Sequence, residues 1–90
     1  MVAATSAMDI PWPEQFDFKV EKWLTWKLRF LHYREASDLV SKNGKRQVSM
    51  LLYCMGGKAD DIMQSFQLSD EDAAKFDVVL EKYDKHFIIR

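Results

Sequence analysis

The chain has 90 residues, with 13 basic against 14 acidic side chains and a formal net charge of −1. This length favours a single domain, and an apolar fraction of 48% is too high for a disordered chain. The balanced charge, without a long basic run, argues against a nucleic-acid-binding domain, which needs a basic face. No run of 18 apolar residues occurs, so no membrane span is expected.

The amino-terminal residues 1–18 are predicted to form a flexible or extended arm. Two prolines flank Trp12, and each proline fixes its own φ and restricts the residue before it, which disfavours a helix. Phe16 and Phe18 follow without helical spacing. These three aromatic rings either pack on the domain's own helices or are offered to a partner. We expect packing, with Trp12 or Phe16 inserted between helices.

The first predicted helix spans residues 20–37 and is the element on which the bundle is expected to be built. Spacings of three and four residues place four aromatic side chains on one stripe, namely Trp23, Trp26, Phe30 and Tyr33. A second stripe lies beside it and consists of Leu24, Leu28 and Leu31. Because this apolar arc is wider than a surface helix needs, we predict a helix packed on two sides. Its exposed side is then the charged one, formed by Lys22, Arg29 and His32.

Two basic residues of this helix, Lys27 and Arg34, lie seven residues apart and therefore on one line, between the two apolar stripes. In one interpretation both side chains pack their stems and extend their charges into water. In the other, Arg34 reaches a carboxylate or carbonyl oxygen of another helix and orients the bundle. The first interpretation is the commoner outcome for such residues.

Further helical segments follow. The second helix begins near Lys45 and ends at Gly56-Gly57, and its core face carries Val48, Leu51, Leu52 and Met55. The third is short, with Ala59, Ile62, Met63 and Phe66 at helical spacing. Ser69 opens a helical turn in a pattern that resembles a capping box. The last helix carries Phe76, Val79, Leu80, Tyr83 and Phe87, and Asp77 is a candidate cap within it.

No segment has the alternating pattern of a strand. The fold class predicted is therefore all-α, a compact bundle of four to five helices over residues 19–90 with an extended N-terminal segment. The predicted structural core consists of Trp23, Trp26, Phe30, Tyr33, Leu51, Leu52, Ile62, Leu80 and Tyr83. On the second helix, Met50, Tyr53 and Cys54 lie off the core face. The candidate interaction surface is therefore Trp12, Phe16, Phe18, Met50 and Tyr53.

Residues with reactive side chains are few, and none has nearby in sequence the partner residues that catalysis or metal binding requires. There is no glycine-rich phosphate loop and no His-x-x-x-His or Cys-x-x-Cys pair. The acidic residues 60–61 and 70–72 fall at predicted helix starts, where capping and the helix dipole explain them. Cys54 is the only cysteine and lies in an apolar run, which predicts a small buried side chain. We predict no enzyme, and no catalytic, cofactor-binding or metal-binding residue.

Several motifs follow one another in a recognisable order. The first comprises Phe16-Asp17-Phe18 and the spaced residues Trp23, Trp26, Phe30 and Tyr33. Next come Gln47-Val48, then Leu51-Leu52-Tyr53-Cys54-Met55-Gly56. The last is Val79-Leu80-Glu81-Lys82-Tyr83-Asp84-Lys85-His86-Phe87. Together they resemble, from about Trp12 to Arg90, the capsid region of gypsy-type (LTR) retrotransposon Gag proteins.

The resemblance implies the amino-terminal lobe of a capsid protein, which associates weakly with copies of itself into capsid-like, virus-like particles. In that family a second helical lobe usually follows, often with a zinc knuckle further on. This chain has no knuckle residues, so it is not expected to bind nucleic acid directly. Some domesticated, host-derived Gag proteins use this lobe to bind short apolar peptides. A peptide-binding adaptor is therefore the alternative. Because the chain has no disulfide pair, we expect an intracellular, cytoplasmic protein.

Overall fold

The computed structural model describes residues 11–88, and over this range the chain is all-helical without a strand. Five α-helices follow one another: α1 Trp23–Ala36, α2 Gly44–Met55, α3 Gly57–Ser65, α4 Asp70–Ala73 and α5 Phe76–Phe87. Short 3₁₀ turns precede and follow α1, at Val20–Lys22 and Leu39–Ser41. The predicted all-α class is confirmed. The first ten residues of the predicted arm and the last two of the predicted lobe lie outside the described residues.

Side-chain caps begin two of the helices. The Asn43 side chain accepts a hydrogen bond from the backbone N–H of Arg46 at 2.8 Å and so caps α2. The Ser69 hydroxyl accepts one from the backbone N–H of Asp72 at 3.1 Å and caps α4, as its position predicted. Asp77 lies in the first turn of α5 and not at its cap, because α5 begins one residue earlier.

The core is built from the inward faces of α1, α2 and α5. Its largest fully buried side chains are Trp23, Phe30, Leu51, Met55, Val79 and Tyr83. Of the predicted core residues, five are buried: Trp23, Trp26, Phe30, Leu51 and Tyr83. The other four are half-buried against the edge of the same cluster: Tyr33, Leu52, Ile62 and Leu80. Helical spacing thus identified the inward faces, while the depth of burial depends on how much of each face a small bundle covers.

Two of the three residues in the leucine stripe of α1, Leu24 and Leu28, are not packed, which corrects the prediction of a helix buried on two sides; the third, Leu31, is half-buried against the core. Leu24 is 59% exposed and Leu28 is 55% exposed. The aromatic stripe of α1 faces α5 and the arm, whereas the leucine stripe faces outward. In a chain with so few helices, one side of α1 has no neighbour among the described elements. The expectation that α1 exposes only its charged side is therefore wrong.

Lys27 of α1 makes an ion pair with α5 and does not extend its charge into water. Its Nζ lies 2.8 Å from Oδ2 of Asp84, and the Asp84 carboxylate also accepts a hydrogen bond from the Trp23 indole at 2.8 Å. One carboxylate therefore joins two residues of α1 that lie one turn apart. This contact sets the position of α5 along α1.

Arg34 makes a comparable contact with α2. Its Nε donates a hydrogen bond to the side-chain carbonyl oxygen of Gln47 at 2.7 Å. Its guanidinium also lies 4.4 Å from the centre of the Phe76 ring, within the range of a cation–π interaction. The interpretation in which Arg34 reaches a carbonyl oxygen of another helix is therefore confirmed.

Residues 11–18 cross the bundle without regular secondary structure, and Phe16 belongs to the core. The Phe16 ring is 3% exposed. Its centre lies within 5.5 Å of the ring centres of three core residues, Trp23, Trp26 and Phe87. The predicted insertion of Phe16 between helices is confirmed. Its place in the candidate interaction surface is therefore wrong, since the ring is enclosed.

Two further contacts hold the arm on the bundle. The Trp26 indole donates a hydrogen bond to the backbone carbonyl oxygen of Glu14 at 2.6 Å. The Gln15 side chain lies directly on Gly56, where a Cβ atom would overlap it. Gly56 also has a φ of 109°, which residues with a Cβ rarely adopt. The backbone conformation at the end of α2 therefore favours a glycine at this position, whereas the flexible Gln15 side chain could move aside for a Cβ atom.

Phe16→Ala should destabilise the domain strongly. Truncating a buried phenylalanine typically costs about 3–5 kcal/mol, which is a large share of the stability of a small domain. Trp12→Ala is the control, because Trp12 is an exposed aromatic residue of the same segment. Urea denaturation at equilibrium measures both variants. An equal, small loss in the two would contradict the assignment of Phe16 to the core.

Candidate interaction site

No group of three or more His, Cys, Asp or Glu side chains that could hold a metal ion occurs among residues 11–88. The acidic residues 70–72 lie in the first turn of α4, where negative charge stabilises the helix dipole. His32 and His86 are both exposed. Within the same range, no helix has the length and apolar character needed to cross a membrane.

Cys54 is unsuited to nucleophilic chemistry. Its side chain is buried in α2, and this burial raises the pKa of the thiol from 9.0 to about 11. The thiolate is the reactive form of cysteine. A thiol with this pKa remains protonated at neutral pH, so Cys54 is a packing residue. The prediction of a small buried side chain is confirmed, and the grouping of Cys54 with an outward apolar face of α2 is wrong.

A groove of about 700 Å³ runs between the arm and α1. Its volume lies in the range of known binding pockets. The helix wall presents one line of side chains from α1 and the turn before it: Lys22, Thr25, Trp26, Arg29, His32 and Tyr33. The arm wall includes Trp12, Pro13, Glu14 and Asp17. The helix wall is therefore basic and aromatic, and the two carboxylates come from the arm.

Trp12 and Tyr53 form an exposed aromatic pair beside this groove. Their ring centres lie 5.6 Å apart in an edge-to-face arrangement. Trp12 is 55% exposed and Tyr53 is 66% exposed. The structure thus brings together two of the five predicted interaction residues, one from the arm and one from α2. Aromatic side chains with this exposure are typical anchors of protein interfaces.

The other predicted interaction residues are less accessible. Phe18 is half-buried, because its ring packs on Phe16 at a distance of 5.0 Å between ring centres. The Lys58 ammonium also lies 5.5 Å from the centre of the Phe18 ring. Met50 is half-buried and packs against the core. Neither residue offers a free apolar surface comparable to Trp12 or Tyr53.

The leucine stripe of α1 is the candidate surface that the sequence prediction missed. Its exposed members are Leu24 and Leu28, one turn apart, and Leu31 is half-buried. Val20, in the 3₁₀ turn before α1, is also exposed. Glu21 and Glu35 lie near the two ends of the stripe and are exposed. Exposed apolar residues that are contiguous mark interaction sites more often than scattered ones do. The signal in the sequence is the second apolar stripe, whose spacing predicts packing within the bundle.

Comparisons with known proteins do not add to this geometry. No family model, curated protein or solved structure matches the chain. The leucine stripe, the aromatic pair and the groove are therefore the observations on which a function has to be argued.

The free energy of unfolding should fall as the pH rises from about 9 to 11. The unfolded Cys54 thiol loses its proton in this range, while the folded one keeps it up to about pH 11. Alkaline pH therefore favours the unfolded state, by about 2 kcal/mol at pH 10.5 relative to pH 8. Burial also raises the pKa of Tyr83. Cys54→Ala removes only the cysteine contribution, so urea denaturation should show a shallower pH dependence for this variant. Identical pH profiles for variant and parent would contradict the prediction.

Proposed function

We propose that the chain is a structural, capsid-like helical lobe that associates weakly with copies of itself, as in a gypsy-type retrotransposon Gag or a host protein derived from one. The observation that carries the proposal is the leucine stripe of α1. Leu24 and Leu28 are each more than half exposed, so they contribute little to the stability of the single chain. A second copy would remove them from water.

The size of this surface supports a weak contact. Complete burial of an exposed leucine is worth about 1.5–3 kcal/mol, and the stripe residues are already partly covered. Association itself costs at least about 4 kcal/mol in lost translational and rotational freedom. Because these terms nearly cancel, we expect a dissociation constant at the weak end of the micromolar-to-millimolar range. The net charge of −1 does not oppose association.

The all-helical bundle and the order of sequence motifs support the same proposal. A structural role needs neither a metal site nor a reactive cysteine, and it is compatible with the buried, protonated Cys54. We place such an assembly in the cytoplasm, where a reducing environment suits a chain with a single cysteine.

A peptide-binding adaptor is the second candidate, and the groove between the arm and α1 favours it. The groove has aromatic side chains in its walls and holds about 700 Å³. An extended apolar peptide would lie on Trp12 and on the half-buried Tyr33. In this case a monomer binds a short apolar peptide saturably, which titration with a fluorescent peptide measures.

Leu24→Glu should weaken self-association at least about tenfold without loss of fold. The substitution places a charge in the middle of the leucine stripe, and desolvating it on association is costly. Val40→Glu is the matched control, because Val40 is also exposed but lies on the turn after α1. Sedimentation equilibrium over a hundredfold range of concentration measures the effect, and thermal melting verifies the fold. A parent chain that stays monomeric at millimolar concentration would rule out the proposed function.

A further inference from the structure

We propose that two copies of this chain exchange their arms, so that Phe16 of each copy fills the socket in the core of the other. The socket is the space between Trp23, Trp26 and Phe87 that the Phe16 ring occupies in the single chain. This exchange uses a surface different from the leucine stripe, on which the proposed function rests. The observations that favour it are the contacts of the arm, the strained backbone at its hinge and the exposure of its other residues.

The arm is held on the bundle by contacts that an arm of a second copy can make equally well. Phe16 fills the socket, the Trp12 ring lies on Tyr53, and the Glu14 carbonyl oxygen accepts the hydrogen bond from Trp26. Of the described arm residues, only Phe16 is buried. No described helix therefore has to move when the arm leaves. Exchange of an identical element between copies replaces each of these contacts with the same contact across the dimer.

The hinge between the arm and the bundle is Phe18, and its backbone is strained. Its φ is 63°, in the left-handed region that bulky side chains rarely adopt. This conformation is held by the packing of its ring on Phe16 and Phe87 and by an exposed hydrogen bond from the backbone N–H of Lys19 to the Asp17 carboxylate. When the arm leaves its own bundle, Phe18 can become extended and the strain is relieved. Short hinges under strain favour exchange between copies.

Exchange requires two copies to meet at the amino-terminal ends of their α1 helices. Phe16 and Phe18 are two residues apart, and an extended chain spans at most about 3.3–3.6 Å per residue. The 3₁₀ turns before α1 therefore come close together in the exchanged dimer. This turn carries the exposed Val20, with Glu21 and Lys22 of opposite charge beside it. A two-fold arrangement can bury Val20 and place Glu21 of one copy near Lys22 of the other.

The arm of a second copy competes with the chain's own arm for each socket. A short tether gives a segment an effective concentration of about millimolar. The strain at Phe18 lowers this effective concentration, because it is present only when the arm folds back on its own bundle. Exchange should therefore become appreciable below millimolar concentration. It should also be slow, because Phe16 has to leave the core first.

Cross-linking between two single-cysteine variants tests the exchange directly. Both carry Cys54→Ala, which removes the native thiol. Trp12→Cys places a thiol on the arm, and Tyr53→Cys places one on α2, where the two native rings lie 5.6 Å apart. The two proteins are mixed in urea, refolded together at high concentration and treated with a short bismaleimide. We expect a covalent heterodimer, because an exchanged arm brings the two thiols together.

Two controls accompany the cross-linking experiment. The double variant Trp12→Cys/Tyr53→Cys should cross-link within one chain when dilute, which verifies that the thiols are within reach. Lys45→Cys replaces Tyr53→Cys in the matched control for random collisions. Lys45 is an exposed residue of the same helix, about 12 Å along its axis from Tyr53. The mixture that contains Lys45→Cys should give at least about tenfold less heterodimer.

Phe18→Gly and Phe18→Ala form a matched pair that tests the hinge. Both substitutions remove the ring, but only glycine adopts a positive φ without strain. The dissociation constant of the exchanged dimer should be at least about tenfold higher for Phe18→Gly, because glycine relieves the strain of two closed hinges. Sedimentation equilibrium in a Leu24→Glu/Leu28→Glu background measures this dimer without the stripe contact, and thermal melting verifies the fold. Equal dissociation constants would overturn the role of the hinge.

The outcomes distinguish arm exchange from the proposed function. A cross-linked heterodimer that persists with Leu24→Glu/Leu28→Glu supports exchange. If the parent self-associates but the mixture gives no more heterodimer than the Lys45→Cys control, exchange is overturned and the stripe contact stands. If the heterodimer forms and Leu24→Glu leaves the self-association of the parent unchanged, exchange stands and the leucine stripe is not the contact of the proposed function.

Discussion

Trp23 is the side chain on which the arm, α1 and α5 all depend. Its ring is fully buried, with the Phe16 ring of the arm and the Phe87 ring of α5 packed against it. Its indole N–H donates to Asp84, which also holds Lys27. The packing of Trp23 on Phe87 and the hydrogen bond from Trp23 to Asp84 both join α1 to α5. Together they fix the distance between the two helices and the position of α5 along α1. The groove exists because Phe16 holds the arm alongside α1.

Helical spacing is a local property of the sequence, so the features of the fold that depend only on this spacing could be predicted. The aromatic stripe of α1, the end of α2 at Gly56 and the cap at Ser69 follow from residues within a few positions of one another. The partner of Lys27 lies 57 residues away, so its ion pair depends on how α5 packs. No local pattern carries that information. The prediction that Lys27 extends its charge into water, which is the commoner behaviour of lysine, is therefore wrong.

The two apolar stripes of α1 illustrate the same limit for the candidate site. The sequence identifies both as apolar, but it does not tell how many neighbours the bundle can place around one helix. Five helices, one of them a single turn, cover the aromatic stripe and leave Leu24 and Leu28 exposed. Because the spacing of Leu24 and Leu28 predicts burial, it does not identify them as an exposed surface. An apolar stripe buried in a core and one buried at an interface have the same sequence pattern, because the first leaves water on folding and the second on association.

Exposed leucines are informative because the fold of the single chain gains little from them. Leu24 could be polar without loss of core packing, and a polar residue there would oppose unwanted association. A small surface of this kind gives only a weak pairwise contact. In the proposed assembly, however, each copy would touch several neighbours, and linked contacts would raise the effective concentration of every further one. Weak contacts can then break and re-form while an assembly grows, so the number of contacts and not the strength of each determines its stability.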